Sequence, residues 1–188
     1  MIDFDEINAL AEQKINEYFT VDNEYQTGQR ITKADREELE DDIEELLIMS
    51  LALGGDDLSK ELGLTPNDLS AQRKYEILYT KVDGKTWRER SKDYTTPAEY
   101  LRMVNTEVPR VYNTSKFEYA EKVEGEVKKM WKTYGDERVR ETHAFLDDVA
   151  VPLHDRFYTY DGDSALYPSG FTLPENNINC RCILQYTR

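Results

Sequence analysis

The stretch Asn176-Asn177-Ile178-Asn179-Cys180-Arg181-Cys182 contains both cysteines of a 188-residue chain. An isolated Cys-x-Cys has three physical interpretations: two metal ligands on one face of a strand, a redox pair, or two small buried thiols beside a structural arginine. The spacing alone does not choose among them. The stretch therefore has to be interpreted together with the rest of the chain.

Length and composition restrict the class of protein. A chain of 188 residues suits one domain of ordinary size, or one domain with a helical appendage. The hydrophobic fraction of 39% and the charged fraction of 33% are typical of a polar globular protein. The longest apolar run, Leu46–Leu53, is about half the length of a membrane helix, so no membrane span is expected. The acidic N-terminus, Met1–Glu6, lacks the features of a secretory signal, which predicts cytoplasmic synthesis and disfavours a structural disulfide.

The net charge of -14 is concentrated in the first third of the chain. Residues 1–68 carry 19 acidic and 5 basic side chains, whereas residues 69–188 carry 19 of each. Such an acidic segment repels phosphate backbones, so direct nucleic-acid binding through it is not expected. The acidic run Glu37–Glu45 is interpreted as a solvated helix face.

The first third has the pattern of amphipathic helices. Apolar residues at helical spacing predict one helix over residues 3–19, ending in the polar segment Thr20–Gln29. A second helix is predicted over Lys33–Leu53, after the N-cap Thr32. Gly54-Gly55 is expected to end it.

The middle of the chain carries two proline-containing helix starts. Thr65-Pro66 predicts a helix as far as about residue 79. Thr96-Pro97-Ala98-Glu99 combines an N-cap, an N1 proline and a capping-box glutamate, which predicts a helix with a well-defined start. Pro109 is expected to bend or end that helix, with a further helical segment over Thr114–Lys129.

The last third changes to shorter elements. Alternation predicts a strand over Met130–Tyr134, followed by a short helix over Glu137–Asp147. The segment Phe157–Tyr160 is predicted to form a strand packed on the sheet. Trp87 and Trp131 are expected to be core anchors.

Several short motifs in this last third occur in a fixed order. They are Trp131-Lys132-Thr133, Asp136-x-Arg138-Val139-Arg140-x-x-His143-x-x-Leu146-Asp147, Val151-Pro152-Leu153 with Phe157, Tyr167-Pro168 and Ile178-Asn179-Cys180-Arg181-Cys182, with Gly84-x-x-Trp87-x-x-Arg90 upstream. Together they resemble the phage Mu F-like, or phage head morphogenesis, domain of tailed bacteriophages. The resemblance implies a minor head protein, present in few copies, associated with the portal and involved in head assembly or in DNA packaging and delivery. The chain departs from many relatives at Asp148, where they have glycine, and in its extra His154.

The same residues suggest a metal site. If Ile178–Ile183 is a strand, Cys180 and Cys182 point to one face, and His143 can approach them from the preceding helix. Two thiolates and an imidazole supply three zinc ligands, with His154 or an aspartate such as Asp136 as the fourth. The hypothesis is a structural zinc clip, although Cys-x-Cys is not the usual Cys-x2-Cys turn.

Two alternatives for these residues stay open. In the first, the cysteines pack as small apolar groups, and a structural polar cluster surrounds His143. That cluster comprises Asp136, Arg138, Arg140, Asn179 and Arg181, with Asp147 or Asp155 as further carboxylate partners. In the second, His143 is a general base or Cys180 a nucleophile. The chain has no recognisable Ser-His-Asp order, glycine-rich phosphate loop or HExxH helix in its sequence.

The sequence therefore predicts an α+β protein with an acidic helical region over residues 1–80 and a Mu F-like domain of helices and a small sheet over residues 81–188. The predicted function is that of a minor capsid protein with no catalytic residues, synthesised in the host bacterial cytoplasm and located in the virion. Its expected partners are portal and capsid or scaffold proteins, and its expected cofactor is either none or a structural zinc ion. The alternatives are a nucleotide-directed transferase or nuclease-like enzyme that uses His143, and an acidic protein-interaction module.

Overall fold

The structure is a computed structural model that describes residues 4–19 and 31–188. The predicted loop over Thr20–Gln29 lies outside the described residues. The helices are α1 (Phe4–Tyr18), α2 (Lys33–Leu62), α3 (Ala71–Leu78), α4 (Trp87–Ser91), α5 (Pro97–Ala120), α6 (Glu141–Ala144) and α7 (Pro174–Asn177). The strands are β1 (Lys128–Lys132), β2 (Ala150–Pro152), β3 (Phe157–Tyr158), β4 (Ser164–Ala165) and β5 (Ile183–Thr187). The predicted α+β class is confirmed.

Helix α5 begins as the sequence predicts. The Thr96 hydroxyl accepts a hydrogen bond from the Glu99 main-chain N–H, and the Glu99 carboxylate accepts one from the Thr96 main-chain N–H at 2.9 Å. This reciprocal capping box satisfies two main-chain donors that the first helical turn leaves free. The start of α5 is therefore specified locally.

Pro109 does not divide α5 into two helices. The structure has one continuous helix, and the predicted segment over Thr114–Lys129 is wrong beyond Ala120. Proline removes a single main-chain donor, which would otherwise bond to the carbonyl of Asn105 one turn earlier. The carbonyl groups of Val108 and Pro109 themselves accept side-chain hydrogen bonds. Ser50 Oγ donates to Val108 O at 2.8 Å, and Asn113 Nδ2 donates to Pro109 O at 3.0 Å. Every residue from Glu107 to Phe117 is buried, so packing against the core supports this part of the helix.

Gly54 and Gly55 do not end α2, which runs on to Leu62. They lie where α2 crosses α5. A Cβ atom at Gly54 would lie 2.2 Å from Ser115 Oγ and 2.7 Å from the Tyr112 carbonyl oxygen, and one at Gly55 would lie 2.8 Å from the Tyr119 ring. The prediction of a helix stop is wrong because both glycines serve close helix packing.

Thr65-Pro66 does not start a helix either. Helix α3 begins after Ser70, whose Oγ accepts from the Arg73 main-chain N–H at 3.2 Å. Asp68 explains the delay, because the Tyr119 hydroxyl donates to its carboxylate at 2.8 Å and fixes this segment on α5. The N-cap is therefore displaced by five residues from the predicted position.

The acidic run on α2 is only partly solvated, contrary to the prediction. Glu40 is 6% exposed and accepts a hydrogen bond from Ser91 Oγ at 2.6 Å. Arg88 Nη2 lies 2.9 Å from Asp41 and 2.7 Å from Glu44. Part of the acidic surface is therefore neutralised within the chain, by residues of α4.

The predicted acidic helical region and the remainder share one hydrophobic core. The Phe4 ring of α1 packs edge-on against Tyr112 of α5 with ring centroids 5.5 Å apart, and the cluster of buried residues continues to Tyr186 in β5. Trp87 and Trp131 are both 0% exposed, so their predicted core role is confirmed. The domain boundary at residue 80 remains a prediction.

The main sheet has the order β2-β1-β5, with both outer strands antiparallel to β1. Lys128 pairs with Pro152 on one side and with Thr187 on the other, whereas Lys132 pairs with Ile183. The strand predicted over Met130–Tyr134 is thus present but begins two residues earlier. A separate two-stranded sheet contains β3, which covers only the first half of the strand predicted over residues 157–160.

Lys129 is an unusual member of β1 because its side chain is completely buried. Its Nζ donates to the Leu166 carbonyl at 2.7 Å and lies 4.9 Å and 5.4 Å from the ring centroids of Phe117 and Phe157. Burial lowers the pKa of Lys129 to about 8. The charged lysine therefore opposes folding near neutral pH.

Candidate metal centre

His143, Cys180 and Cys182 come together in the interior. His143 Nδ1 lies 3.6 Å from the sulfur of Cys180 and 3.6 Å from the sulfur of Cys182. The three potential ligand atoms all lie within 4.8 Å of one another. All three side chains are buried, and the two cysteines are free thiols. The structure thus brings together three of the four residues predicted as metal ligands.

The chain reaches this arrangement without the predicted strand over Ile178–Ile183, because β5 begins only at Ile183. Asn179 adopts a left-handed conformation with φ 55°, and the Cys180 main-chain N–H donates to Asn177 O at 3.1 Å. This turn carries the chain out of α7 and into an extended segment. The two cysteines reach the same histidine from that segment and not from a strand.

The helix that carries His143 is shorter than the predicted Glu137–Asp147. Only α6 is helical, and the segment before it forms a turn in which Asp136 Oδ1 accepts from the Arg138 main-chain N–H at 3.2 Å. Asp136 therefore stabilises a turn and does not cap a helix. The His143 side chain is nevertheless buried in the interior of the protein.

Two aromatic rings hold the imidazole of His143. The Phe171 ring stacks on it at 5.2 Å between centroids with an interplanar angle of 23°, and Trp131 packs edge-on at 5.5 Å. Its Nε2 is buried and has no hydrogen-bond partner within the described ranges 4–19 and 31–188. Sequence reasoning missed Phe171, since nothing in its neighbourhood distinguishes it from an ordinary core residue.

The two thiols have different acidities. The S–H of Cys182 donates to Cys180, and His143 adds a favourable contact, which together lower the pKa of Cys180 well below the usual value. Cys182 has the opposite behaviour, because it donates to Cys180 and a second buried negative charge would be costly, so its pKa is raised.

The predicted polar cluster lies beside the histidine rather than around it. Arg181 Nη2 contacts both carboxylate oxygens of Asp136 at 2.7 Å, and Arg138 Nη2 lies 2.8 Å from Asp5 Oδ2. Asp5 belongs to α1 and was not predicted. The cluster therefore connects α1 with the segments on either side of the candidate metal centre.

The other predicted members of the cluster make hydrogen bonds that involve main-chain atoms. Arg140 donates to the carbonyl of Ile178, and the main-chain N–H of Asn179 donates to Thr106 Oγ1 at 3.2 Å. Asp147, predicted to pair with an arginine, instead accepts from the main-chain N–H of residue 133 at 2.7 Å. The contacts of Arg140 and Asn179 fix the segment that precedes the cysteines.

His154 and Asp136 are not in the group of candidate metal ligands, which corrects the predicted fourth ligand. His154 is largely exposed, and its Nδ1 lies 3.7 Å from Glu121 Oε1. The strand register explains its position. His154 follows Pro152, which pairs with the first residue of β1, whereas Cys182 precedes Ile183, which pairs with the last residue of β1. The two side chains therefore belong to opposite ends of the sheet.

A small cavity of about 10 Å³ adjoins the centre. It is lined by His143, Cys182, Tyr134, Val139, Asn179 and the three arginines 138, 140 and 181. A volume of this size accommodates about one water molecule. The arrangement suits a buried metal ion or a packed thiol pair, and its size disfavours a substrate molecule at His143.

The family described as Phage Mu protein F like protein matches residues 78–185. The chain belongs to this family. The resemblance found in the sequence is thereby confirmed, and family membership suggests a role in phage head morphogenesis. No solved structure was found that matches the chain.

A curated relative whose name describes an enzyme also matches this Mu F-like chain. It is named NAD(+)--arginine ADP-ribosyltransferase EFV, from Enterococcus faecalis (strain ATCC 700802 / V583), and is 29% identical over 143 residues. The match covers 72% of this chain but only 29% of the relative. The chain thus spans less than a third of the length of that protein.

The structure gives a physical role to the upstream Mu F-like motif Gly84-x-x-Trp87-x-x-Arg90. Arg90 pairs with Glu107, which is 1% exposed and also accepts from Arg110 Nε at 2.7 Å. Arg110 in turn donates to the Ile77 carbonyl at 2.9 Å. The motif therefore attaches α4 and the end of α3 to α5 through a buried ionic group.

A second network that the sequence did not reveal positions α7. The Asp163 carboxylate is 7% exposed and accepts from the main-chain N–H groups of Ser164, Thr172 and Leu173 at 2.8 to 3.2 Å, and from Asn176 Nδ2 at 3.2 Å. These hydrogen bonds lower the pKa of Asp163, outweighing the opposing effect of burial. The network orders the loop that leads to the cysteines.

Proposed function

We propose that this chain is a minor head protein of a tailed bacteriophage, which docks on portal and capsid or scaffold proteins in the procapsid and assists head assembly and DNA packaging or delivery. The family match over residues 78–185 carries the proposal. The centre at His143 agrees with it, since its buried groups and small cavity suit architecture better than turnover. None of the helices in the described ranges is long and apolar enough to cross a membrane.

The surface of the Mu F-like region has aromatic groups suited to protein contacts. Phe145 is 47% exposed and Tyr160 is 66% exposed, with their ring centroids 5.9 Å apart. Exposed aromatic side chains of this kind are enriched among the residues that dominate binding energy at interfaces. We assign this pair, called the aromatic patch below, as part of the docking surface.

Incorporation into procapsids tests both statements. The protein is co-expressed with the portal, capsid and scaffold proteins of its phage, and its copies per purified procapsid are counted. The wild-type protein should be incorporated, and the variant Phe145→Ser/Tyr160→Ser should lose most of its incorporation. Tyr75→Ser is the matched control, because Tyr75 is 58% exposed but lies outside the family match. Equal incorporation of all three proteins would exclude the aromatic patch, and absence of the wild-type protein would contradict the docking role.

The second candidate is an enzyme, and only the name of the Enterococcus relative favours it. An ADP-ribosyl transfer that uses His143 would require NAD and an acceptor to reach a side chain that is 1% exposed. Incubation of the purified protein with NAD and an arginine acceptor distinguishes the candidates. Release of nicotinamide that stops in His143→Asn would favour the enzyme over the docking protein.

A further inference from the structure

We propose that His143 Nδ1, Cys180 Sγ and Cys182 Sγ bind one zinc ion, with a water molecule from the adjoining cavity as the fourth ligand. The assignment does not depend on the role of the protein in the phage head. Three observations support it: the distances between the donor atoms, the hydrogen bonds that these atoms can make without a metal ion, and the position of the cavity.

The distances between the donor atoms fit tetrahedral coordination. Zinc binds thiolate sulfur at about 2.3 Å and imidazole nitrogen at about 2.0 to 2.1 Å, so sulfur and nitrogen ligands on one zinc ion are about 3.6 Å apart. Both observed sulfur-to-Nδ1 distances are 3.6 Å. The three donor atoms also lie within 4.8 Å of one another, so a single ion can be placed among them.

Hydrogen bonding alone explains this arrangement less well. An imidazole nitrogen has either one lone pair or one hydrogen atom in the ring plane, so it makes one well-directed hydrogen bond. His143 Nδ1 instead faces two sulfur atoms at the same distance. A metal ion accounts for both contacts at once, because it lies on the nitrogen lone pair and binds both sulfurs.

The fourth position has no protein ligand. Among the described residues, the group of histidine, cysteine and carboxylate side chains at this place contains only His143, Cys180 and Cys182. The cavity of about 10 Å³ borders two of them, His143 and Cys182. One water molecule there would supply the fourth ligand, and the cavity volume corresponds to about one water molecule.

The donor set selects zinc among the common metal ions. Two thiolates and one imidazole are soft or borderline ligands, which excludes magnesium and calcium, whose preferred ligands are oxygen atoms. Zinc balances the charge of two thiolates and has no requirement for redox chemistry. Monovalent copper also binds thiolates, so the experiment includes it as a separate probe.

The proposed ion joins distant parts of the chain. It connects α6 to the segment before β5, and the intervening residues contain only the short elements β2, β3, β4 and α7. Binding free energy at such a site adds to folding free energy, because the unfolded chain does not hold the ligands together. Zinc is thus expected to protect the segment between residues 144 and 179 from local opening.

The test uses the full chain, purified under reducing conditions, stripped with a chelator and reloaded with zinc. Wild-type protein should retain about one equivalent of zinc after desalting, and its thermal midpoint should rise on reloading. Hydrogen exchange of residues 144–179 should slow in the same sample. Cobalt should give the absorption bands of a tetrahedral thiolate complex.

His143→Asn and Cys182→Ser should retain less than about a tenth of an equivalent. His154→Asn is the matched control, because it removes the only other histidine and lies away from the centre. It should behave as wild type. If the ligand variants do not fold, the zinc content and cobalt spectrum of wild-type protein decide the question alone. The assignment would be overturned if wild-type protein retained less than about a tenth of an equivalent of zinc, or if it took up only monovalent copper. It would also be overturned if the ligand variants retained as much zinc as wild-type protein.

Discussion

Replacement of Gly54 by alanine distinguishes two roles of a glycine in a helix, namely ending the helix and allowing close packing against another helix. If Gly54 were a helix stop, alanine would stabilise α2, because alanine is favoured over glycine in a helix by about 1 kcal/mol. In the structure the added Cβ would lie 2.2 Å from Ser115 Oγ and 2.7 Å from the Tyr112 carbonyl oxygen. The hydroxyl group can rotate away, but the carbonyl is part of α5 and moves only with the helix.

The steric effect should exceed the gain in helix propensity. Overpacking of a close-packed interior costs about 1 to 3 kcal/mol, and contact with main-chain atoms places Gly54→Ala towards the upper end. We therefore expect the free energy of unfolding to fall by about 1 to 2 kcal/mol after the propensity gain is included. Urea denaturation followed by circular dichroism measures this change.

Two further variants identify the cause. Gly54→Ala/Ser115→Ala should recover part of the loss, because it removes the Oγ contact and leaves the carbonyl contact. Ala52→Gly, at an exposed position of the same helix, should cost about 1 kcal/mol through propensity alone. If Gly54→Ala is as stable as wild type or more stable, the close approach of α2 and α5 is refuted.

Two other buried groups give predictions that urea denaturation also checks. Glu107→Ala should lower the free energy of unfolding by about 3 to 5 kcal/mol, because it leaves Arg90 and buried Arg110 without their shared carboxylate. The control Glu37→Ala removes one member of an exposed ion pair and should change the free energy of unfolding by less than about 0.5 kcal/mol. Equal effects of the two substitutions would contradict the buried ionic group. Lys129 has a pKa of about 8 in the folded protein and about 10.4 when unfolded, so the unfolded chain binds more protons between these values and stability rises with pH there. From pH 7 to 9, below the ionisation of free tyrosine, the free energy of unfolding should rise by about 1.4 kcal/mol through Lys129. This rise should disappear in Lys129→Met. If the variant had the same pH slope as wild type, Lys129 would not be its cause.

Local signals in the sequence predicted those elements that depend on nearby residues. The capping box at Thr96 specifies the start of α5 because its donors and acceptors all lie within four residues. Gly54 and Pro109 were misinterpreted because their environment is set by another helix. Glycine can end a helix or permit close packing, and only the position of α5 distinguishes these uses.

The candidate site shows the same division between local and distant determinants. The association of His143 with the two cysteines could be predicted from residue chemistry together with the order of the motifs. The position of His154 could not, because it depends on which end of β1 each neighbouring strand pairs with. The contribution of Asp5 was equally inaccessible, since it lies 133 residues from its partner Arg138 in the chain.

The phage head role is tested most directly by quantitative mass spectrometry of heads purified from the phage that encodes this chain. We expect the protein to be present in a few copies per head, and deletion of its gene should lower the yield of DNA-filled heads. Heads that lack the protein, together with unchanged assembly and packaging after deletion, would contradict the proposed function.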